Sequence, residues 1–312
     1  MSQFLQAVIN GVAVASVYAL IAVGFVIIYK SMQVLSFAQP GLMLFGAWWV
    51  VYFAGRPAWG FNWYLAILIA VAIVALTGVG IERGLLRPMV GKPVFAVAIM
   101  TIGIDVVLRV TTGNLLGTDV NSSGDPFGLN LFIGPKEGII PGRFELGDLI
   151  LNERRFAGIV AAIVLVTGLL LFFRYTRTGL AMRATAFDQE VALTQGVSVP
   201  AVFALSWAFA AVLAMVGGLF ISPDTGQLSS TQFAFALRAL PVVVIGGLDS
   251  IGGAVVAALI VGIAEQLTVT YNISHLSFLG KNFALIVPYL VMFIVLLVRP
   301  YGLFGTREVE RV

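Results

Sequence analysis

The chain has no cysteine and a single histidine, and only 11% of its 312 residues are charged. The lack of cysteine excludes a disulfide framework and thiolate metal sites, and His275 alone cannot build a metal cluster. No Gly-x-x-x-x-Gly-Lys-Ser/Thr loop and no serine- or metal-hydrolase pattern occurs, so we predict no catalytic residue, no metal site and no cofactor bound by this chain. Since no basic run is interleaved with aromatics, nucleic acid is not an expected partner.

Apolar residues make up 60% of the chain, and its mean hydropathy is +1.02. Soluble domains of this length contain far more charge. A bilayer core about 30 Å thick requires about 20 apolar residues of helix, and uncharged runs of that order recur throughout the sequence. We therefore predict an all-α, polytopic bundle of transmembrane helices that forms a single domain over residues 1–312.

Nine stretches are predicted to span the membrane. They lie near 4–29, 39–55, 62–81, 94–112, 156–173, 200–222, 230–246, 251–271 and 282–299. The second and seventh are short, and Pro40 and Pro241 open or interrupt them, so each is a candidate re-entrant or broken helix. Eight full spans is the alternative.

A polar insert at 174–199 separates the fifth and sixth predicted spans. Its apolar residues recur at intervals of four, three and four, which predicts an amphipathic helix outside the lipid: Leu180, Ala184, Phe187 and Val191. Such a helix offers one face to another protein. The alternative interpretation is a connector that lies on the membrane surface.

The distribution of Lys and Arg predicts the orientation. Of the 18 such residues, ten fall in loops on the same side as the 174–199 insert and six on the other side, while Arg109 and Arg238 lie within spans. The insert and the C-terminus are therefore expected to be cytoplasmic, and nine spans place the N-terminus outside. We expect no cleaved signal, because no positive charge precedes the first apolar stretch.

The longest loop, residues 113–155, is rich in Gly, Pro and mixed charges and is predicted to be an ordered external loop. It is either a landing surface for a periplasmic binding protein or a solvated connector that returns the chain to the membrane.

Four motifs carry a resemblance to a known family. The insert holds Gly179, Arg183-Ala184, Asp188, Ala192 and Gly196; the other three are Arg87–Pro93 with Thr101–Gly103, Gly246–Ala254 continuing to Glu265, and Arg299–Gly305. Together and in this order they resemble the permease subunits of branched-chain amino acid (Liv-type) ABC importers, and the H-type subunit in particular. The glycine-rich stretch after Gly246 is also expected to form a cytoplasmic hairpin in which Ser250 caps the following helix.

The resemblance implies that the insert docks in a groove of a separate ATPase. The residues it assigns to ATPase coupling are Gly179, Leu180, Arg183, Ala184, Phe187, Asp188, Val191, Ala192 and Gly196. The implied partners are a second related permease in a heterodimer, with a homodimer as the alternative, two ABC ATPases that carry ATP and Mg, a periplasmic solute-binding protein and the lipid of a bacterial inner membrane. The implied cargo is a branched-chain or other neutral amino acid, with urea, short amides or small carboxylates as alternatives.

The sequence departs from the family pattern at the second span. Where relatives generally have Ile-Asn-Phe-Ala-His-Gly-Glu, this chain has Ser36, Gln39, Pro40 and Gly41 in place of the Asn, His, Gly and Glu. These changes either adapt the path to another solute or repack the start of a helix.

Ionisable residues inside spans are costly and are functional candidates by default. Asp105 and Arg109 stand four apart and are expected to form a structural ion pair on one helix face. Glu265 lies in the outer half of its span, and Arg238 is expected to extend to the membrane interface. Ser36, Gln39, Asp105 and Glu265 are accordingly our candidates for the translocation path or its gating.

A self-sufficient channel or ion-coupled carrier is the alternative from another functional class. It would require a midplane site with unwound helices, often within repeated halves. No convincing repeat is present, and the polar insert would have no role in such a protein. A purely structural scaffold would explain neither the insert nor the intramembrane charges.

Overall fold

The computed structural model describes residues 2–54, 63–116, 121–122, 143–146, 149–221, 227–229, 232–272 and 282–306. Its helices are α1 (Ser2–Met32), α2 (Gln39–Ala54), α3 (Trp63–Ile81), α4 (Val94–Leu116), α5 (Glu153–Tyr175), α6 (Arg177–Phe187), α7 (Gln189–Thr194), α8 (Val199–Leu219), α9 (Phe233–Leu237), α10 (Ala239–Gly246), α11 (Ile251–Asn272) and α12 (Val287–Val298). Two short antiparallel ladders accompany them: β1 (Asn121–Ser122) pairs with β4 (Gln227–Leu228), and β2 (Arg143–Leu146) with β3 (Leu149–Asn152). The predicted all-α bundle is confirmed.

Six of these helices are long and apolar enough to cross a membrane: α1, α3, α4, α5, α8 and α11. The other three predicted spans are shorter. The second is α2, of 16 residues, and the seventh is divided into α9 and α10. The ninth was predicted too long, since only Val287–Val298 is α-helical and a 3₁₀ turn, Phe283–Leu285, precedes it.

Helix α1 is the centre of the bundle. Of its most apolar stretch, 89% is buried, and it packs along α11 and α8 and against α5 and α10. Two glycines allow the closest approach: a Cβ on Gly262 of α11 would lie 2.7 Å from the carbonyl oxygen of Gly11. Small residues at such crossings let helix backbones meet in a membrane, where apolar side chains gain little by leaving lipid.

Helices α3, α4 and α5 form the periphery, with only 22–28% of their apolar stretches buried. Large aliphatic side chains cover their outer faces, for example Leu68, Leu76, Val107 and Ile163, each at least 60% exposed. So extensive an apolar surface is unsuitable for contact with water and fits contact with lipid. The chain is therefore an integral membrane protein.

Helix α2 is short because it starts inside the bundle. A non-helical segment, 33–38, leads from the end of α1 to Gln39, which packs beside Gly24, eight residues or about 12 Å before the end of α1. Backbone of this kind is tolerated at membrane depth only when protein covers it, and here the amide of Phe37 donates to Thr101 Oγ1 of α4 at 3.0 Å.

Helices α9 and α10 are separated at Arg238, three residues before Pro241. Pro241 lies in the first turn of α10, where its missing N–H costs no intrahelical bond. The prediction that the second and seventh spans are short or broken is thus confirmed.

The connection between α4 and α5 is shorter than the predicted loop 113–155. Helix α4 continues to Leu116, α5 already begins at Glu153, and the β2–β3 ladder lies between them. Most of the remaining loop, 117–120, 123–142 and 147–148, lies outside the described residues, as does His275.

Helix α3 is extended by a π-helical segment, Glu82–Leu86, and then by a 3₁₀ turn, Arg87–Met89. The wider turn brings residues five apart onto the same face. Glu82, which is fully buried, accepts two hydrogen bonds from the Arg87 guanidinium, at 3.0 and 3.2 Å, and the same guanidinium reaches the carbonyl of Pro200 at 3.3 Å. The motif that begins at Arg87 therefore joins the end of α3 to the start of α8.

Candidate functional site

The polar insert folds as two helices, α6 and α7, rather than as the single helix that its apolar period predicts. The break is at Asp188, whose backbone is extended (φ −156°, ψ 116°). Its carboxylate accepts hydrogen bonds from the amides of Glu190 and Val191, at 2.9 and 3.0 Å. Aspartate is among the preferred N-cap residues, so a local cap ends the first helix and starts the second.

A tight turn joins α5 to α6. Thr176 Oγ1 accepts a hydrogen bond from the amide of Gly179 at 2.9 Å and caps the new helix. A Cβ on Gly179 would lie 2.3 Å from the carbonyl oxygen of Phe172, so no other residue fits there without displacing the turn. The structure thus gives Gly179 a steric function in the turn.

The insert is anchored to the bundle on its inner side. Met182, Thr185 and Ala192 are buried, and Ala192 packs with Phe203 of α8. Gln189 Nε2 donates to the carbonyl oxygen of Ser31, at the end of α1, at 3.0 Å. Contacts to α1 and α8 fix the position of both short helices relative to the core.

Gly196 follows α7 with a left-handed backbone (φ 80°), while the amide of Val197 donates to the carbonyl of Ala192 at 3.0 Å. Glycine adopts this conformation without the steric cost that a Cβ adds. Gly196 therefore ends α7 and sets the direction of the chain into α8.

The outer side of the insert is exposed and partly apolar. Leu180 and Val191 are 58% and 55% exposed, and Phe187, at the end of α6, is 95% exposed. Arg183 and Ala184 are also exposed beside them. We name the five residues Leu180, Arg183, Ala184, Phe187 and Val191 the coupling face.

Two sequence motifs combine into one substructure beside the coupling face. The amides of Leu303 and Phe304 donate to the carbonyls of Ile245 and Gly246, at 2.7 and 3.2 Å, so the segment after α12 lies along the end of α10. Thr306 Oγ1 donates to Asp249 Oδ2 at 2.5 Å.

The predicted turn after Gly246 and the cap by Ser250 are confirmed. Ser250 Oγ accepts from the amide of Gly253 at 3.0 Å, which caps the start of α11. Lys30 Nζ, near the end of α1, donates to the carbonyl of Asp249 at 3.0 Å. The hairpin, the segment 299–306 and the coupling face border a common cleft of about 740 Å³, lined among others by Arg183, Phe187 and Asp249.

Three of the four path candidates meet at the start of α2. Ser36 and Gln39 are buried, and the Asp105 backbone lies so close to α2 that a Cβ on Gly41 would be 2.9 Å from its carbonyl oxygen. Asp105 pairs with Arg109 at 3.2 Å, as predicted. Both amide atoms of Gln39 and Oδ1 of Asp105 are buried without a hydrogen-bond partner among the described residues, which is an uncommon and costly arrangement.

The fourth candidate, Glu265 of α11, lies apart from these and is part of another cluster. Tyr18 of α1 donates to Glu265 Oε2 at 2.6 Å, and Arg238 forms an ion pair with Oε1. The prediction that Arg238 extends to the interface is wrong, since its side chain turns inward to a buried carboxylate. Sequence reasoning missed Tyr18, because a tyrosine within an apolar run is as typical of a packed core as of a functional site.

Comparison with known proteins identifies similar chains. A family model described as branched-chain amino acid transport system, permease component, matches residues 7–296. The high-affinity branched-chain amino acid transport system permease protein LivH of Escherichia coli is 29% identical over 99% of this chain and 98% of its own length. The corresponding permease protein BraD of Pseudomonas aeruginosa is 26% identical with the same coverage of both chains.

Among solved structures, PsaBC from Streptococcus pneumoniae in complex with Fab overlays with a TM-score of 0.49 at 11% identity. The overlay covers 96% of this chain and 93% of that chain.

Proposed function

The chain belongs to the family of permease components of branched-chain amino acid transport systems, and from this premise we propose that it lines the path of an ABC importer for branched-chain or other neutral amino acids. The free energy for transport comes from ATP, held with Mg²⁺ on partner subunits. The chain itself supplies a surface that receives the motion of those subunits and helices that convert it into a change of access.

The assembly we propose contains a second, related permease, two ABC ATPases and a periplasmic solute-binding protein in a bacterial inner membrane. The excess of Lys and Arg in loops on the side of the 174–199 insert supports a cytoplasmic position for the insert and for the C-terminus. The insert and the segment 299–306 border the same cleft, which is consistent with one cytoplasmic face.

The observation that carries the proposal is the contrast between the two sides of the insert. Its inner side is hydrogen-bonded to the end of α1 and packs against the first turns of α8, whereas the coupling face is exposed and unusually apolar for a polar segment. An apolar helix face of this kind is suited to a groove on another protein. Phe187 is its most prominent member, because a 95% exposed phenylalanine gains most from burial in a partner.

Movement of an ATPase would pass through this insert to the core. Gln189 links it to the end of α1, and Ala192 links it to Phe203 of α8. Since α1 is enclosed by the other helices, a displacement of its end changes packing across the whole bundle. Two alternative packings of one helix bundle, with the population biased by ATP, are sufficient for alternating access.

The test compares two exposed phenylalanines in the complete complex reconstituted into vesicles. Phe187→Ala is expected to lower leucine uptake by about tenfold or more and to abolish the stimulation of ATP hydrolysis by loaded binding protein, because an aromatic anchor is typically worth about 2 kcal/mol. Phe4, 52% exposed at the other end of α1, is the matched control, and Phe4→Ala should retain both activities.

Wild-type uptake and stimulation in Phe187→Ala would contradict the docking function of the insert. Uptake by vesicles that contain this chain without ATPases would contradict the importer itself and would establish a channel or an ion-coupled carrier.

A further inference from the structure

A second cavity lies at the end of the bundle opposite the coupling face. Its volume is about 260 Å³, and its lining includes residues of α1, α5, α9 and α11, among them Arg154 and Arg155 in the first turn of α5. Arg155 is bonded to Asn10, near the start of α1, while Lys30 at the other end of α1 borders the cleft beside the coupling face. The cavity is therefore on the side at which an importer receives its cargo.

Opposite charges lie side by side in this cavity. Arg238 and Glu265 both line it and form an ion pair with each other, and Tyr18 holds the second carboxylate oxygen at 2.6 Å. The Arg238 guanidinium also rests over the Phe235 ring, 4.6 Å from its centroid, and Phe235 stacks on Tyr18 at 4.7 Å. Both charged groups are thus fixed in direction by aromatic neighbours.

The rest of the lining is partly polar and partly apolar. Arg154 and Arg155 of α5 and Gln266 of α11 contribute polar groups. Val14 and Val17 of α1 and Phe220, next to the end of α8, contribute an apolar part. Gly158 of α5 also lines it, and a Cβ there would be 3.2 Å from Phe220, so the glycine keeps the space between α5 and Phe220 open.

The cluster of Tyr18, Arg238 and Glu265 lies well inside the bundle, away from the end of α11. Glu265 precedes the last residue of α11, Asn272, by seven positions, or about 10 Å. A lone charge at that depth in a bilayer would be expensive, and the local ion pair makes both charges tolerable. A zwitterionic solute has an anionic group, a cationic group and an apolar part. The paired cation and anion and the apolar residues beside them complement these three parts.

We propose that this cavity is a binding site for a neutral α-amino acid in its zwitterionic form. Arg238 receives the carboxylate, Glu265 receives the ammonium group, and the wall formed by Val17 and Phe220 receives the aliphatic side chain. A volume of about 260 Å³ is below the about 300 Å³ at which pockets for drug-sized ligands begin, which suits a solute of amino-acid size. This assignment rests on the proposed importer function, and it places the first contact with cargo inside this chain, beneath the docked binding protein.

The absence of cysteine makes a direct test possible. A V14C reporter places one thiol on the cavity wall, and an A186C reporter places one in the cleft near the coupling face. The full complex in lipid nanodiscs is treated with N-ethylmaleimide, and modification of this chain is followed by intact mass. L-Leucine at about ten times its dissociation constant should slow modification of V14C about tenfold and leave A186C unchanged.

Ligands that lack one or both charges of leucine test whether Arg238 receives the carboxylate and Glu265 the ammonium group. Leucinamide lacks the carboxylate, N-acetylleucine lacks the ammonium group, and urea lacks both, so none of them should protect V14C at the same concentration. Glu265→Gln in the V14C background should remove the protection by leucine. Glu82→Gln, which removes the carboxylate from the ion pair with Arg87 outside the cavity lining, should retain it.

Equal protection by leucine and leucinamide, protection by urea, or no protection by leucine would overturn the site. ATP hydrolysis stimulated by leucine-loaded binding protein is measured in the same preparation. Stimulation without protection leaves the importer function intact and rejects this cavity, whereas failure of stimulation rejects the proposed function separately.

Discussion

The two ends of the bundle differ in one prominent cluster of contacts each. At the end that carries the coupling face, the hairpin lies backbone on backbone: a Cβ on Gly253 would be 2.1 Å from the carbonyl oxygen of Gly246, and one on Gly247 would be 2.5 Å from the amide nitrogen of Gly305. At the other end, a cluster of charged side chains adds to the glycine contact between α1 and α11, with Glu265 bonded to Tyr18 and Arg238.

The two kinds of contact suit two different functions. Contacts between backbones leave little freedom for adjustment, which suits a surface that must transmit displacement as a unit. A charged cluster can exchange one bonding partner for another, which suits a place where a polar solute enters. Added volume should therefore damage the first end, and lost charge should damage the second.

The largest expected effect is on the charged end. Glu265→Leu leaves the Arg238 guanidinium in the bundle without its carboxylate, and we expect a loss of about 4 kcal/mol in the free energy of unfolding. Addition of Arg238→Met should recover most of that loss, because two apolar residues replace an ion pair without leaving a charge behind. Denaturant unfolding in detergent measures both variants. A double variant as unstable as the single one would show that the carboxylate matters for another reason.

A smaller effect is expected at the glycine-dependent end. Gly253→Ala forces a methyl group into the Gly246 carbonyl and should cost about 3 kcal/mol, which thermal unfolding in detergent measures. Gly252 is the matched control in the same helix turn, since a Cβ there meets no atom of the described residues within 4 Å. Gly252→Ala should leave the unfolding temperature unchanged. If the two variants unfold alike, close backbone packing is not what stabilises this end.

The smallest effect concerns Asp188, between α6 and α7. Asp188→Ala removes the N-cap and should destabilise α7 locally by about 1 kcal/mol, visible as faster hydrogen exchange at the amides of Glu190 and Val191. Asp188→Asn keeps a capping oxygen and removes the charge. If the cap is what coupling requires, only the alanine variant loses stimulated ATP hydrolysis. If the charge contacts the ATPase, both variants lose it.

Much of the bundle could be predicted from apolar run length, and Pro40 and Pro241 indicated that the second and seventh spans are short or broken. Run length could not predict which helix lies at the centre of the bundle. In water, an exposed face is polar and a buried face apolar, but in lipid both are apolar, so α1 and α3 look alike in sequence although 89% and 28% of their apolar stretches are buried.

The site was predictable where the signal is local. The insert and its exposed apolar stripe follow from periodicity, and an Asp followed by two more polar residues is itself a cue for the break at Asp188. Tyr18 and Glu265 are 247 positions apart, and no local pattern links them. The incomplete hydrogen bonding of Gln39 could not be predicted from sequence either, because it depends on how α1, α2 and α8 pack against one another.

The central position of α1 also has a consequence for biosynthesis. Glu265 of its neighbour α11 is translated 247 residues after Tyr18, which at about 5–20 residues per second is a delay of roughly 10–50 seconds. Throughout that interval the most enclosed helix of the finished protein must reside at the insertion machinery or in lipid, with Tyr18 still lacking Glu265. Because α1 is apolar on all sides, it is stable in lipid during this interval. The core is completed when α11 is inserted and packs against it.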